Sequence, residues 1–281
     1  MLGDVSSELP IEKFALLISL FEEIGLYKIK LVGGEPTMST DIFRFLEICF
    51  NSSCKNIGIT TNGINTKALF NLAQTFSKLS FDVSIPSLCK KKFCHLTGGS
   101  ELDHKNLLST IELISSFQDR LTVNIVVHDK TYMLDNLYHD IDYLFGKTSR
   151  IKLILFCETE YNANSFTSTI SKRSLEVFLC AIGAVRVGSM FNHTIYKYKD
   201  RYEISIVEPY CPIICKDSFK KTPTIRVTPD GFLKPCLLSN TGNINFLSLP
   251  KNLLHKRIMD IISNGPNCSN SFKYHDYNAA E

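Results

Sequence analysis

Strand-like and helix-like segments alternate over the first 160 residues, and that alternation most narrows what the chain can become. The strand-like runs are Lys28 to Val32, Asn56 to Thr60, Phe81 to Ile85, Leu121 to Val127 and Ile151 to Phe156. Between them lie helical segments near Asp41 to Phe50, Thr66 to Lys78, His104 to Phe117 and Asp135 to Phe145. An earlier helix is expected after Pro10, with Ile11, Phe14, Leu17, Ile18, Phe21 and Ile24 at helical spacing before Gly25. The strands read as nearly continuous apolar runs, which suits parallel strands covered on both faces. Five such strands are too few for an eight-stranded barrel, so the expected class is α/β with a partial barrel or open sheet.

Sites in these folds form at the carboxyl ends of the strands. Three features fall there on consecutive strands: Gly33-Gly34-Glu35-Pro36, Thr60-Thr61-Asn62-Gly63 and Ser84. Paired glycines leave backbone open to a ligand, and Pro36 stiffens the exit. Glu35 either accepts a hydrogen bond from a ligand or braces its turn, and Asn62 is expected to stabilise its own turn. After residue 160 the regularity weakens. Shorter strands and turns, notably Pro229-Asp230-Gly231, precede a helical segment from Lys251 to Ser263.

The chain has 281 residues, with 31 Lys and Arg against 28 Asp and Glu, for a net charge of +3. That balance contains no basic block of the kind nucleic acid demands. No apolar run approaches the roughly 20 residues of a membrane span, and the start lacks the pattern of a secretory signal. A cytoplasmic protein without membrane or nucleic-acid partners is therefore expected. Ten cysteines in a reducing compartment read as free thiols or metal ligands rather than disulfides. Cys49, Cys54, Cys89, Cys94, Cys180 and Cys268 lack ligand-like spacing. Cys211 and Cys215, spaced x3, and Cys236 read as either unliganded thiols or metal ligands, with a zinc site including His193 or another fourth ligand as one alternative. His104 and His128 read as surface or cap residues.

From about Pro10 to Ser271 the chain resembles the GTP 3′,8-cyclases of molybdenum-cofactor biosynthesis, within the radical S-adenosylmethionine superfamily. The resemblance rests on Lys28-Ile29-Lys30-Leu31-Val32 before Gly-Gly-Glu-Pro, on Val83-Ser84-Ile85-Pro86-Ser87-Leu88, and on Val123-Asn124-Ile125-Val126. It rests most specifically on the run from Ile225-Arg226-Val227 through Asp230-Gly231 to Pro235-Cys236-Leu237-Leu238-Ser239. It implies a partial (β/α)6-type barrel lacking its first strand over residues 1–160, and an auxiliary iron–sulfur and substrate-binding region over 161–281. It also implies roles. Gly33, Gly34, Glu35, Ser84 and Cys157 would contact S-adenosylmethionine. Lys30, Thr60 and Arg226 would face GTP. Cys211, Cys215 and Cys236 would hold an auxiliary 4Fe-4S cluster with one iron open to substrate. A reductant protein would supply electrons.

The chain departs from that family pattern in four places. The radical-generating Cys-x3-Cys-x2-Cys loop is absent, the first cysteine being Cys49. Thr122 stands where the family has Lys. Cys211 and Cys215 are spaced x3 rather than x2, with Thr222 and Thr224 at a cysteine and an arginine position of the family. The terminal Gly-Gly is replaced by Asn278-Ala279-Ala280-Glu281. The sequence as it stands is expected not to cleave S-adenosylmethionine, being either a piece of a longer enzyme or a divergent branch. An enzyme modifying a peptide or another natural product, and a catalytically silent remnant, are the competing readings.

Overall fold

The computed structural model describes residues 8–127, 136–155, 170–190, 192–208, 223–236 and 242–265. Chain contacts divide it into two units.

The larger unit, Lys28–Phe43 with Lys55–Pro209, is built on an eight-stranded sheet. Its strands are β1 (Lys28–Leu31), β2 (Asn56–Thr61), β3 (Ser80–Ser84), β4 (Leu121–Val127), β5 (Arg150–Leu155), β6 (Val185–Met190), β7 (His193–Tyr198) and β8 (Tyr202–Val207). The spatial order is β1-β2-β3-β4-β5-β8-β7-β6. The first six in that order run parallel, and β7 and β6 complete the sheet antiparallel. The five expected strands are all present within a residue or two of their expected bounds. A sixth parallel strand, β8, follows from the region that reads as irregular.

The strands are not apolar on both sides. Ile29, Ile57, Ile59, Phe81, Val83, Val123, Ile125, Ile151, Leu153, Ile204 and Ile206 are buried. The residues between them are Lys30, Gly58, Thr60, Ser80, Asp82, Ser84, Thr122, Asn124, Arg150, Lys152, Glu203 and Ser205. The register aligns the two sets from strand to strand, pairing Thr60 with Asp82, Asp82 with Thr122, and Asn124 with Lys152. Alternation of period two therefore gives one apolar face and one polar face. The expectation of two covered apolar faces is corrected here: Gly, Thr and Ser interleave with Ile and Val closely enough to read as one apolar run.

Helices α3 (Thr66–Thr75), α4 (Lys90–Thr97), α5 (Glu101–Ile114), α6 (Tyr138–Phe145) and α7 (Lys172–Ala181) belong to this unit. Leu107 of α5 and Val83 of β3 both close on Gly63, where an added Cβ would lie 2.6 Å from Leu107 and 3.0 Å from Val83. Gly63 also has φ +75°, so no side chain is accommodated. Local chemistry sets the helix ends. Asn65 accepts from the Ala68 N–H at the start of α3, and Ser100 and Asp103 form a capping box on α5. The Arg120 guanidinium donates to the Ala73 and Phe76 carbonyls at the end of α3, at 2.9 and 2.7 Å.

The smaller unit comprises Met1–Tyr27, Arg44–Cys54 and Tyr210–Glu281. It holds α1 (Ile11–Glu23), most of α2 (Ile42–Asn51), α8 (Lys251–Asn264), and a three-stranded sheet of β9 (Arg226–Val227), β10 (Phe232–Lys234) and β11 (Ile244–Asn245). Leu17 and Leu20 of α1 pack with Leu233, Phe246, Leu254, Ile258 and Ile261. The Pro229-Asp230-Gly231 turn forms as expected, with Gly231 at φ +83° and its N–H donating to the Thr228 carbonyl.

The two faces predict different costs for neighbouring residues. Ile59→Ala should lower unfolding free energy by about 2–4 kcal/mol, and Thr60→Ala by no more than about 0.5 kcal/mol, in urea titrations. Equal losses would contradict the assignment of faces.

Candidate functional site

The loops after β1 and β2 are tied together by one carboxylate. Glu35 Oε1 accepts from the Thr37 N–H at 3.1 Å, the Thr37 hydroxyl at 2.7 Å and the Thr61 hydroxyl at 2.7 Å. Its Oε2 accepts from the Asn62 N–H at 2.6 Å. Asn62 Oδ1 in turn accepts from the Ile64 N–H, the self-stabilised turn expected of it. Asn65 Nδ2 donates to the Thr37 carbonyl, adding a second tie. Glu35 is thus a strut, and any further donor reaching it meets the remaining acceptor capacity of Oε2. The strut holds Gly33 and Gly34 exposed, and a Cβ at either would meet nothing within 4 Å. Gly33 has φ +147°, a conformation that favours glycine.

Beside these loops the polar face carries a basic floor. Lys30 Nζ contacts Asp82 Oδ2, and Lys152 Nζ lies 3.2 Å from Asp82 Oδ1. Lys30 and Lys152 each keep 28% of side-chain exposure, whereas Asp82 keeps 11%. Burial first, then the charges of Lys152 and Lys28, push the Lys30 ammonium down to about 7. The Asp82 contact acts the other way, but one carboxylate shared by two ammonium groups does not offset this crowding. Lys152 is lowered by burial and Arg150, and Lys28 by burial, Lys152 and Arg150. His193 of β7 joins the group, lowered by burial and then by Lys152, Lys28 and Lys30. A floor that disfavours its own positive charge is one that an anion stabilises. Cys211 and Cys215, the partners of His193 in the zinc alternative, lie outside the described residues.

Two other polar groups stand out. Ser84 is half-buried at the end of β3 and pairs in register with Asn124. Asn124 is 9% exposed, and its Oδ1 has no hydrogen-bond partner among the described residues. A buried acceptor without a donor costs about 1–3 kcal/mol unless a ligand or water supplies one. Nothing in the sequence singled out Asp82 or Lys152, because each lies inside a strand and is joined to the other only by register; Asn124 entered only as part of the Val123-Asn124-Ile125-Val126 run, with no role attached.

Of the residues named from sequence, Gly33, Gly34, Glu35, Lys30, Thr60 and Ser84 lie in one unit, on neighbouring strands and their exits. Arg226 is half-buried on β9 and Cys236 is buried, both in the smaller unit. Cys157, Cys211 and Cys215 lie outside the described residues. Cys49 and Cys54 are buried thiols, and burial pushes Cys49 up to about 12. His104 is not a surface or cap residue. It is buried, its Nε2 lies 2.9 Å from the Leu88 carbonyl oxygen, and its ring meets Phe93 edge-on.

Comparison with known proteins follows the same line. No family model matches the chain. It is 28% identical over 244 residues to a probable GTP 3′,8-cyclase of Sulfurisphaera tokodaii, spanning 85% of this chain and 74% of that one. It is 28% identical over 236 residues to the molybdenum cofactor biosynthesis protein moc-5 of Caenorhabditis elegans, spanning 80% of this chain but only 38% of that protein. In sequence the chain is thus similar to proteins named GTP 3′,8-cyclase. Among solved structures, Streptococcus suis SuiB bound to S-adenosylmethionine matches with TM-score 0.61 at 16% identity, covering 88% of this chain and 58% of that one. The anSMEcpe structure with bound AdoMet matches with TM-score 0.57 at 14% identity, covering 94% and 78%. At these identities the two structures speak for the radical S-adenosylmethionine fold alone.

The titration of Lys30 predicts how this floor responds to pH. Its charged form is the one that binds anions, so affinity for tripolyphosphate should fall as pH rises through about 7. His193, lowered from its ordinary value, has already lost its charge below that point. Lys30→Arg, whose guanidinium stays charged, should flatten the profile. Calorimetric titrations between about pH 6 and about pH 8 test this, and a flat wild-type profile would contradict it.

Proposed function

We propose that this chain binds S-adenosylmethionine at the carboxyl ends of β1 to β3 and an anionic nucleotide, GTP first, on the adjoining basic floor. The reaction class is that of a GTP 3′,8-cyclase. The observation carrying this reading is the polar sheet face, where Lys28, Lys30, Lys152 and His193 gather beside the strutted Gly33-Gly34 turn. The residues fit an adenosyl ligand. Gly33 and Gly34 offer bare peptide groups, Ser84 offers a hydroxyl, and the Asn124 amide offers a buried acceptor with no donor among the described residues. Cys157 is proposed for the same cofactor, and Arg226 and Thr60 for the nucleotide.

The iron–sulfur groups stand differently. Cys211, Cys215 and Cys236 are the residues proposed to hold an auxiliary 4Fe-4S cluster, which would supply an open iron to a substrate ligand. What the chain's own residues do is bind and orient. The lysines neutralise phosphate charge, the glycine turn admits the amino-acid end of the cofactor, and the strut fixes the distance between the two loops.

Calorimetry with S-adenosylhomocysteine and with GTP tests the reading. Saturable binding of both is expected. Gly34→Val should weaken the first about tenfold or more by filling the open backbone, and Lys30→Ala should weaken the second. Binding of S-adenosylhomocysteine without GTP would move the substrate to another class, and binding of neither would overturn the reading.

A further inference from the structure

We propose that Asp82 is a built-in counter-ion that a bound anion must displace, and that it sets how much negative charge the site accepts. This rests on the reading of the polar face as an anion-binding floor.

Asp82 lies on β3, between Thr60 and Thr122 in register, and its carboxylate is the more deeply buried partner of two ammonium groups that approach from opposite sides. Lys30 comes from β1, two strands away on one side. Lys152 comes from β5, two strands away on the other. The one carboxylate therefore occupies the place between the lysines where a phosphate oxygen would bridge them. The asymmetry of burial decides which group moves. Lysine stems are long and flexible, and these two keep more than twice the exposure of Asp82. Their ammonium groups can turn outward to a ligand, while the short Asp82 side chain stays on the floor of the sheet.

Two consequences follow. Any anion competes with Asp82 for the same two cations. Once it is bound, the carboxylate left beneath it repels it, and the repulsion grows with each negative charge on the ligand. The other charged groups facing the cluster are Lys28, Arg150, Glu203 and His193. Glu203 lies beside Arg150 in register and raises Lys152 only as a minor influence. Asp82 is thus the residue that tempers an otherwise basic surface. It acts as a specificity-determining residue for phosphorylated ligands, weighing more against a triphosphate than against a single phosphate.

The test compares wild type, Asp82→Asn and Asp82→Glu by calorimetry with inorganic phosphate, tripolyphosphate, GTP and S-adenosylhomocysteine. At a pH low enough to keep Lys30 charged once its carboxylate partner is gone, Asp82→Asn should tighten tripolyphosphate binding about tenfold and phosphate binding distinctly less, with S-adenosylhomocysteine unchanged. Asp82→Glu, which keeps the charge, should retain the wild-type ratio. Weaker tripolyphosphate binding in Asp82→Asn would show that the carboxylate positions the lysines for the ligand, and an equal gain for both phosphates would remove the charge selectivity; either overturns the proposal. Asp82→Ser replaces Asp82→Asn if the latter does not fold, and failure of both neutral variants to fold would make Asp82 a structural group and overturn it as well. Tighter tripolyphosphate with no GTP binding in any variant would leave the counter-ion intact and refute the nucleotide reading alone.

Discussion

The side-to-side alternation of the large sheet is the constraint from which the rest follows. Most alternate residues of β1 to β5 and β8 are apolar and buried, so the intervening residues are turned to the opposite face. Register then decides which polar groups become neighbours. A shift of one residue in any strand would put Lys30, Asp82 or Lys152 into the apolar core and an isoleucine or valine onto the floor. The hydrophobic packing that stabilises the unit is therefore the same agent that assembles the basic cluster. The lysines are tolerated because they stand half-exposed with a carboxylate between them, and because the apolar face meets the demand for burial.

The strand exits add a second level of order. Backbone alone would leave the Gly33-Gly34 turn free to adopt many conformations, since neither glycine carries a side chain to hold it. Glu35 removes much of that freedom by accepting four hydrogen bonds from Thr37, Thr61 and Asn62. A rigid, bare turn is better suited to a ligand than a flexible one, because ordering is not demanded at the moment of binding. The acidic residue of the motif therefore shapes the site through the loop it holds.

Much of this was legible in the sequence, and the part that was not has a physical reason. Strand and helix positions followed from periodicity and from punctuation by glycine and proline, down to the helix from Lys251. The glycine turn and the Asn62 turn were visible because their chemistry is local. The polar face was hidden, because Gly58, Thr60 and Ser84 are small enough to pass for members of an apolar run. Asp82 and Lys152 were hidden for another reason: their meaning lies in partners dozens of residues away. The burial of His104 was hidden in the same way, because its ring nitrogen meets a carbonyl sixteen residues earlier. Strands β6 to β8 read as separate short pieces, and only pairing of β8 with β5 shows that they extend the same sheet.

Chemical-shift mapping of the isotope-labelled protein with S-adenosylhomocysteine addresses the central claim most directly. If the strand exits form one binding surface, the amides of Gly33, Gly34, Thr61 and Ser84 move together and saturate at a common concentration. Perturbations confined to the smaller unit, or scattered without saturation, would contradict it.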